Sequence, residues 1–287
     1  MLAEFNRATS RADSAVIWAR ADRPARMQVE CATDESFKTI LRAASADALP
    51  DSDFTAKLLL DGLPAGQDIF YRVQFEDSLR ARHRGRAAGR AFPHRASERA
   101  SSVSFVWSGD TAGQGWGIDP VARRHADLPR PCCNNRPDFF IHSGDHIYAD
   151  CPVPSEAEAA RTARSGATSS PRKNPPSRET LAQFRGNYKY NLLDENLRAF
   201  NAEVPMFAQW DDHEVTNDWS PSAAADATGY AEDGTSRLVA RGTPRVSRIH
   251  ADPRRCPREA GRVYRKIAYG PLLDVFMIDM RSYRDST

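Results

Sequence analysis

Three apolar stretches of this sequence each run directly into aspartate. They are SVSFVWSGD, PDFFIHSGD and VPMFAQWDD, which end at Asp110, at Asp145 and at the pair Asp211 and Asp212. One aspartate after a strand is most often a helix N-cap. Aspartates after three strands, with further polar side chains close by, favour a functional site instead. These further side chains are His146, Tyr148, His213 and Asn217.

Crowded carboxylates repel one another, so this pattern predicts a cation among them. Carboxylate oxygens with one or two imidazoles suit Fe, Mn, Zn, Mg or Ca. Two such metals roughly 3.5–4 Å apart can share one carboxylate and hold a phosphate between them. Asp145, at the end of a predicted central strand, is placed to bridge two metals, and Tyr148 can direct a phenolate toward one of them. Ferric iron favours such a ligand. These residue types could therefore form a site for two metals.

The elements that position these residues have the pattern of an α/β layered sheet. Each apolar stretch predicts a buried strand, and ligands bind at the carboxyl ends of strands in open α/β sheets. Residues 177–204 predict two helices, with Ser177 and Thr180 suited to the start of the first and Asp194, near Glu195, to the start of the second. Residues 262–283 predict two more strands, the last ending near Asp279. Strands separated by helical crossovers indicate a layered α/β domain.

The N-terminal part predicts a structural β-sandwich, because short strands follow one another there without a long helical period. Its strand segments are SAVIWARA, ARMQVECA, TAKLLLDGL and DIFYRVQFED. A turn sequence precedes Tyr71, which is typical of a tyrosine corner, where the phenol bonds to upstream backbone. Trp18 is predicted to lie in the core. The predicted domains cover residues 1–97 and 102–287.

Composition narrows the classes of function. The chain has 287 residues, 40% hydrophobic and 27% charged, as expected for a soluble globular protein. No apolar run reaches membrane-spanning length, and the N-terminal segment lacks the pattern of a signal peptide. The protein is therefore expected either to stay in the cytoplasm or to lack its native N-terminus. The five cysteines include no CxxC pair, which argues against a zinc knuckle.

A net charge of +2 does not favour a nucleic-acid partner. The densest basic run, residues 80–100, predicts an edge strand and a linker with solvated arginines. Nucleic-acid binding through this run is the weaker alternative, and it predicts a steep dependence of binding on salt.

The motifs GDHIYAD and QWDDHEVTNDW resemble the signatures of the PhoD-like alkaline phosphatases, within the calcineurin-like metallophosphoesterase superfamily. The surrounding stretches SFVWSGDTAGQGWGID and YGPLLDVFMIDMRSYRD resemble the same family. The N-terminal region is similar to the Ig-like or fibronectin-like sandwich that such enzymes carry. The resemblance implies that this sandwich is followed by an incomplete metallophosphoesterase domain.

The resemblance also implies roles for individual residues. Asp110 stands at the first metal ligand, often Cys in the family, Asp145 at the bridging carboxylate, and Tyr148 at the phenolate ligand to iron. The run Asp211, Asp212 and His213 matches the segment that replaces the Asn-His pair of other metallophosphoesterases. Asn217 matches a ligand of the second metal, which is calcium in the best-known members. The implied cofactors are Fe3+ and Ca2+, with Mn2+ or Zn2+ as alternatives.

The implied activity is hydrolysis of phosphomonoesters or phosphodiesters by a metal-activated water or hydroxide. In this interpretation His213 and Asp212 are catalytic, with His213 orienting the substrate or protonating the leaving group. The expected partner is a phosphate ester, with no nucleic acid and no membrane span, and family members are usually exported.

Neighbouring residues receive weaker assignments. His142 is expected to be a core or surface histidine, and His146 is expected to lie outside direct metal contact more often than not. Glu214 is expected to be a hydrogen-bond partner of the ligands. The remaining residues expected near the site are Trp116, Asp279 and Arg281.

The chain departs from the family in two ways. It ends at Thr287, before the later strands and ligands of metallophosphoesterases, so the resemblance implies a C-terminally truncated chain with impaired activity. The likeness is also interrupted at residues 151–176 and 220–262, which are rich in Arg, Pro, Ser and Ala. These segments are either long loops or disorder, or the product of compensating frame errors, which resequencing would test. A non-enzymatic alternative is a β-sandwich binding module followed by an inert phosphatase remnant.

Overall fold

A computed structural model of the chain describes seven ranges of residues. They are residues 5–10, 14–78, 88–94, 102–111, 137–150, 180–221 and 263–284. The linker at residues 95–101, Trp116, most of the two interrupted segments and every cysteine except Cys31 lie outside these ranges. No helix within the described residues is both long and apolar enough to cross a membrane.

Two antiparallel sheets form the N-terminal part. Strands β1, β2 and β5 make one sheet in the order β1-β2-β5, and strands β3, β4, β6 and β7 make the other in the order β4-β3-β6-β7. The strand bounds are Phe5–Ser10 (β1), Ser14–Arg20 (β2), Ala25–Ala32 (β3), Arg42–Ala48 (β4), Thr55–Asp61 (β5), Gln67–Asp77 (β6) and Ala88–His94 (β7).

One hydrophobic core lies between these two sheets. Alternate residues of β3 and β6 point into it, as the two-residue period of a strand requires, and residues of β2 and β5 join them. Trp18 is buried, which confirms its predicted core position. The four predicted strand segments are confirmed as β2, β3, β5 and β6, and β7 is the predicted edge strand. Strand β4 was not predicted, because its sequence RAASADA lacks β-branched and aromatic residues.

The second sheet region is parallel. Its strands are Phe105–Ser108 (β8), Phe139–His142 (β9) and Met206–Ala208 (β10), in the order β10-β9-β8. The predicted central strand is therefore confirmed as β9. Between β9 and β10 lie the helices Leu181–Asn191 (α1) and Glu195–Glu203 (α2). Thr180 caps α1 in a capping box with Gln183, and Asp194 caps α2, as predicted.

A hairpin packs against this parallel sheet. Its strands are Arg265–Ala268 (β11) and Asp274–Met277 (β12), and its buried side chains share a cluster with β9 and β10. The prediction that β8 is buried is wrong: Phe105 is 53% exposed and Trp107 69% exposed. Strand β8 lies at the edge of the described sheet, so β9 covers only one of its sides.

Tyr71 links the N-terminal core to the second region. Its buried hydroxyl donates a hydrogen bond of 2.8 Å to the carbonyl oxygen of Ala202, near the end of α2. The tyrosine-corner prediction is therefore wrong in its partner, because that interpretation places the acceptor upstream of Tyr71. The last carbonyls of a helix lack partners within the helix, and Tyr71 supplies one.

Replacing Tyr71 by phenylalanine is expected to lower the free energy of unfolding by about 1–3 kcal/mol, because a buried carbonyl of Ala202 loses its donor. Urea unfolding measures this difference. The control is Tyr283→Phe, since Tyr283 is 72% exposed and its hydroxyl can bind water. That variant should stay within about 0.5 kcal/mol of wild type. Equal stability of Tyr71→Phe and wild type would contradict the link.

Candidate metal centre

The turns after β8 and β9 place two aspartates side by side. Asp110 and Asp145 both have a φ of 58°, in the left-handed region where aspartate is among the few tolerated side-chain types. The amide of Asp110 donates to the oxygen of Gly144 at 3.1 Å, and the amide of Thr111 donates to the oxygen of Asp145 at 2.7 Å. These bonds join residues 109–111 (the β8 loop) to residues 143–150 (the β9 loop).

Gly144 brings a third loop, residues 209–219 (the β10 loop), against the first two. Its φ is 122°, and a Cβ at this position would stand 2.4 Å from the amide nitrogen of Asp211 and 2.7 Å from the carbonyl carbon of Trp210. Neither backbone atom can move aside easily. Only glycine therefore allows the β9 and β10 loops to approach this closely.

Three potential metal ligands meet where these loops converge. Ligand atoms of Asp145, Asp212 and His213 lie within 4.8 Å of one another. Asp110 joins the cluster through a side-chain hydrogen bond to Asp145. Burial, this hydrogen bond and the charge of Glu214 raise the pKa of Asp145 to about 8. Two carboxyl groups that are hydrogen-bonded to each other must share a proton or bind a cation between them. The set of carboxylate oxygens and one imidazole also fits a metal ion.

Tyr148 lies against the same carboxylates. Burial and the charges of Asp110 and Asp145 raise its pKa, and its hydroxyl is hydrogen-bonded to Asp110. Its ring centroid stands 4.2 Å from that of His213. Without a cation, Tyr148 is therefore protonated beside these carboxylates. The phenolate form of Tyr148 requires a bound cation.

His213 is held by Asp150, a residue that the sequence analysis did not single out. Its Nδ1 lies 2.8 Å from Oδ1 and 2.9 Å from Oδ2 of Asp150. Burial lowers the pKa of His213, but the bond to Asp150 and the charges of Asp150, Asp145 and Asp212 outweigh it and raise the pKa to about 9. Asp150 closes the GDHIYAD motif, yet its partner lies 63 residues away in the β10 loop.

Asp211 and Asp212 have different surroundings although they are adjacent. Asp211 pairs with Nε of Arg281 at 2.6 Å. Asp212 accepts the amide of Asp218 at 2.6 Å and lies 3.3 Å from Nη2 of Arg281. Only Asp212 belongs to the three-residue cluster. Arg281 thus neutralises the outer carboxylate, as its predicted position near the site suggests.

Asn217 lies at the exposed side of the β10 loop. Its backbone amide donates to Oδ2 of Asp150 at 2.8 Å, and its side-chain amide donates to Asp218 at 3.1 Å. Among the predicted site residues, the structure gathers Asp110, Asp145, Tyr148, Asp212 and His213, and it directs the side chains of Asp211 and Asn217 toward Arg281 and Asp218.

Glu214 joins the β9 and β10 loops through hydrogen bonds to the backbone amides of both. One carboxylate oxygen accepts the backbone amide of His146 at 2.6 Å and its Nδ1 at 3.1 Å, and the other accepts the amide of Asp211 at 2.9 Å. Burial raises the pKa of Glu214, and these amides, with that of Asp145, oppose the shift. Glu214 is thus the hydrogen-bond partner that the sequence analysis predicts.

His142 and His146 form a buried stacked pair outside the three-residue cluster. Their ring centroids are 3.7 Å apart. His142 lies 2.8 Å from the hydroxyl of Thr111 and accepts the amide of Gly144 at 3.3 Å. Asp279, also expected near the site, accepts the indole N–H of Trp210 at 3.0 Å. His142, His146 and Asp279 thus hold the loops in place but do not belong to the three-residue cluster.

Without a metal, stability is expected to fall as the pH rises, most steeply between about 6.5 and 8. The folded-state pKa of Asp145 is about 8 against an ordinary 3.8, and that of His213 is about 9 against 6.5. The folded state therefore keeps protons that the unfolded chain has lost, and this contribution disappears as the pH passes through the folded-state values. Melting temperatures measured in EDTA across pH 5–9 test the trend. A melting temperature that rises from pH 6.5 to 8 would contradict it.

Comparison with known proteins identifies similar chains. A family model described as "PhoD-like phosphatase" matches residues 105–287, and one described as "PhoD-like phosphatase, N-terminal domain" matches residues 10–91. Alkaline phosphatase D of Bacillus subtilis (strain 168) is 25% identical over 264 residues, which are 89% of this chain and 40% of that protein.

Two solved structures are also similar to this chain. A structure of PhoD superposes with a TM-score of 0.71 and 19% identity, covering 98% of this chain and 52% of that one. A purple acid phosphatase from yellow lupin (Lupinus luteus) seeds reaches a TM-score of only 0.49 at 11% identity, covering 92% of this chain and 42% of that one. The fold is therefore that of PhoD, of whose chain this sequence spans 52%.

Proposed function

Since this chain belongs to the PhoD-like phosphatase family, we propose that it is a metal-dependent phosphoric ester hydrolase acting on phosphomonoesters or phosphodiesters. The observation that supports this most directly is the cluster of Asp145, Asp212 and His213, whose ligand atoms lie within 4.8 Å of one another. The three residues come from two loops at the carboxyl end of the parallel sheet, where α/β folds bind ligands.

The proposed centre holds two metals, most suitably Fe3+ and Ca2+, with Mn2+ or Zn2+ as alternatives. Asp110 and Asp145 supply adjacent carboxylates, and Tyr148 supplies a phenol hydrogen-bonded to one of them. Asp212 completes the inner set. Asp211 and Asn217 stand at its periphery, because their side chains contact Arg281 and Asp218.

When bound, the metals would polarise the phosphoryl group and acidify a water molecule. The chain's own contribution centres on His213, whose Nδ1 is held by Asp150. We assign its Nε2 to the leaving group of the substrate, and we assign the metals to the carboxylates and to Tyr148. In the metal-free protein the pKa of His213 is about 9. We propose that its imidazolium donates a proton to the leaving-group oxygen. Asp212, held by the amide of Asp218, lies beside His213.

We assign a structural role to the N-terminal part and propose that its two sheets form an Ig-like sandwich. Its strands share one core, and Tyr71 joins that core to α2. In this proposal the sandwich supports the hydrolase domain and is not an independent binding module.

The direct test is hydrolysis of a chromogenic phosphomonoester and a chromogenic phosphodiester by the full chain, after EDTA treatment and after adding back each metal. The proposal expects slow turnover that depends on added metal, because the sequence predicts impaired activity. Stoichiometric metal binding without turnover of either ester would favour the non-enzymatic alternative. Failure of Fe3+, Ca2+, Mn2+ and Zn2+ to bind at all would contradict the metal centre itself.

A further inference from the structure

Helix α1 contacts both the β8 loop and the β9 loop through two asparagines that the sequence analysis did not single out. The side-chain amide of Asn191 donates to the carbonyl oxygen of His146 at 2.7 Å and to that of Thr111 at 3.4 Å. The side-chain amide of Asn187, one turn earlier, donates to the carbonyl oxygen of Tyr148 at 3.1 Å. Both asparagines are buried.

These bonds pair carbonyl groups that lie in loops and therefore cannot bond to a neighbouring strand of a β-sheet. The two loops leave their strands at the turns containing Asp110 and Asp145, so their buried carbonyls need donors from elsewhere. A neutral amide offers two N–H donors without adding charge beside crowded carboxylates. Aspartate has nearly the same shape, but its carboxylate oxygens would face the carbonyl oxygens, and two hydrogen-bond acceptors repel each other. Only the amide side chain can form these bonds at both positions.

The helix is also anchored to the N-terminal part. On the face of the two asparagines, Phe184 is buried in the cluster that includes Ile147 of the β9 loop and Trp210 of the β10 loop. Arg185 donates to the carbonyl oxygen of Asp51 at 2.6 Å, and Lys189 lies 3.4 Å from Oδ1 of Asp53. Residues two apart on a helix point in nearly opposite directions. The N-terminal part and the site loops thus contact different faces of α1.

We propose that Asn187 and Asn191 are positioning residues of the metal centre, a proposal that rests on the function proposed above. They hold the main chain directly after Asp110 and Asp145, and at Tyr148. The N-terminal part also helps to position these residues, because Asp51 and Asp53 hold α1 through Arg185 and Lys189.

Hydrogen exchange of the full chain in EDTA tests the positioning role without any metal. The variants are Asn187→Asp and Asn191→Asp, and the matched control is Asn196→Asp, since Asn196 is exposed on α2. Exchange of the amides in residues 108–111 and 143–150 is expected to accelerate on the order of 10-fold or more in the two variants, because each replaces an amide donor to the loop carbonyls by a carboxylate acceptor. The control should leave these amides unchanged.

A second control separates positioning from general loss of stability. Tyr71→Phe lowers overall stability through its bond to Ala202 of α2 but keeps both amides. At equal overall stability, it should leave loop exchange slower than Asn191→Asp does. Equal acceleration by Tyr71→Phe, or none in either asparagine variant, would overturn the proposal. If Asn191→Asp does not fold, Asn187→Ala, which removes the bond to the carbonyl oxygen of Tyr148, gives the same comparison.

Titration with Mn2+ then connects the asparagines to the proposed function. Affinity is expected to fall about 10–100-fold in Asn191→Asp, as for other outer partners of metal ligands, and to stay unchanged in Asn196→Asp. Absence of Mn2+ binding by wild type would count against the proposed metal centre, while the exchange result would still decide the positioning role. Wild-type affinity in Asn191→Asp would overturn the inference.

Discussion

Asp145→Asn is expected to weaken Mn2+ binding by about 100-fold or more and to remove any metal-dependent ester hydrolysis, because it replaces the proposed bridging carboxylate. The same substitution should stabilise the metal-free protein above about pH 4. Folding forces Asp145 to hold a proton that the unfolded chain releases, since its pKa rises from 3.8 to about 8. Asparagine carries no such requirement, can still accept the amide of His213, and tolerates the positive φ.

Asp145→Asn is thus expected to weaken Mn2+ binding and, at the same time, to raise the stability of the metal-free protein. Calorimetric titration with Mn2+ measures the first, and melting temperatures in EDTA measure the second. Asp138→Asn is the matched control: Asp138 is buried just before β9, at the opposite end of that strand from Asp145, and accepts the amide of Ser104 at 2.8 Å. It should lose about 1 kcal/mol of stability and keep its metal affinity. Wild-type Mn2+ affinity in Asp145→Asn would refute the site.

Gly144→Ala is expected to be the most destabilising single substitution considered, at about 4 kcal/mol or more, or to prevent folding. The new Cβ would lie 2.4 Å from a backbone nitrogen and 2.6 Å from the Cβ of Asp211, at a φ of 122°. Relief requires the β9 and β10 loops to separate, which would also move Asp145 away from Asp212. Denaturant unfolding measures the loss of stability, and Mn2+ titration of any folded variant measures the separation.

Gly186→Ala supplies the control for this substitution. Gly186 lies within α1, and an added Cβ meets no atom within 4 Å. Alanine has the higher helix propensity, so this variant should gain about 0.5–1 kcal/mol. Similar stability for the two alanine variants would show that the close approach at Gly144 is not rigid.

Much of the fold follows from local pattern. Alternating apolar residues predicted β3 and β6, and apolar stretches predicted β9 and β10 with aspartates at their ends. Thr180 and Asp194 were predicted as helix starts because a capping side chain bonds to amides only two or three residues away. Asp145 and Asp212 were placed at one sheet edge because parallel strands end on the same side. Each of these features depends on the order and period of nearby residues, which the sequence contains.

Tertiary structure alone decided which polar groups meet. Tyr71 bonds to Ala202 across 131 residues, His213 to Asp150 across 63, and Asn187 to Tyr148 across 39. Of two adjacent aspartates, Asp212 joins the cluster and Asp211 pairs with Arg281. Strand β8 is apolar in sequence yet exposed, because burial depends on what packs beside it. The sequence by itself determined that these carboxyl, amide and hydroxyl groups need partners when buried. The identity of each partner depends on how loops distant in sequence are brought together, and no local period encodes that.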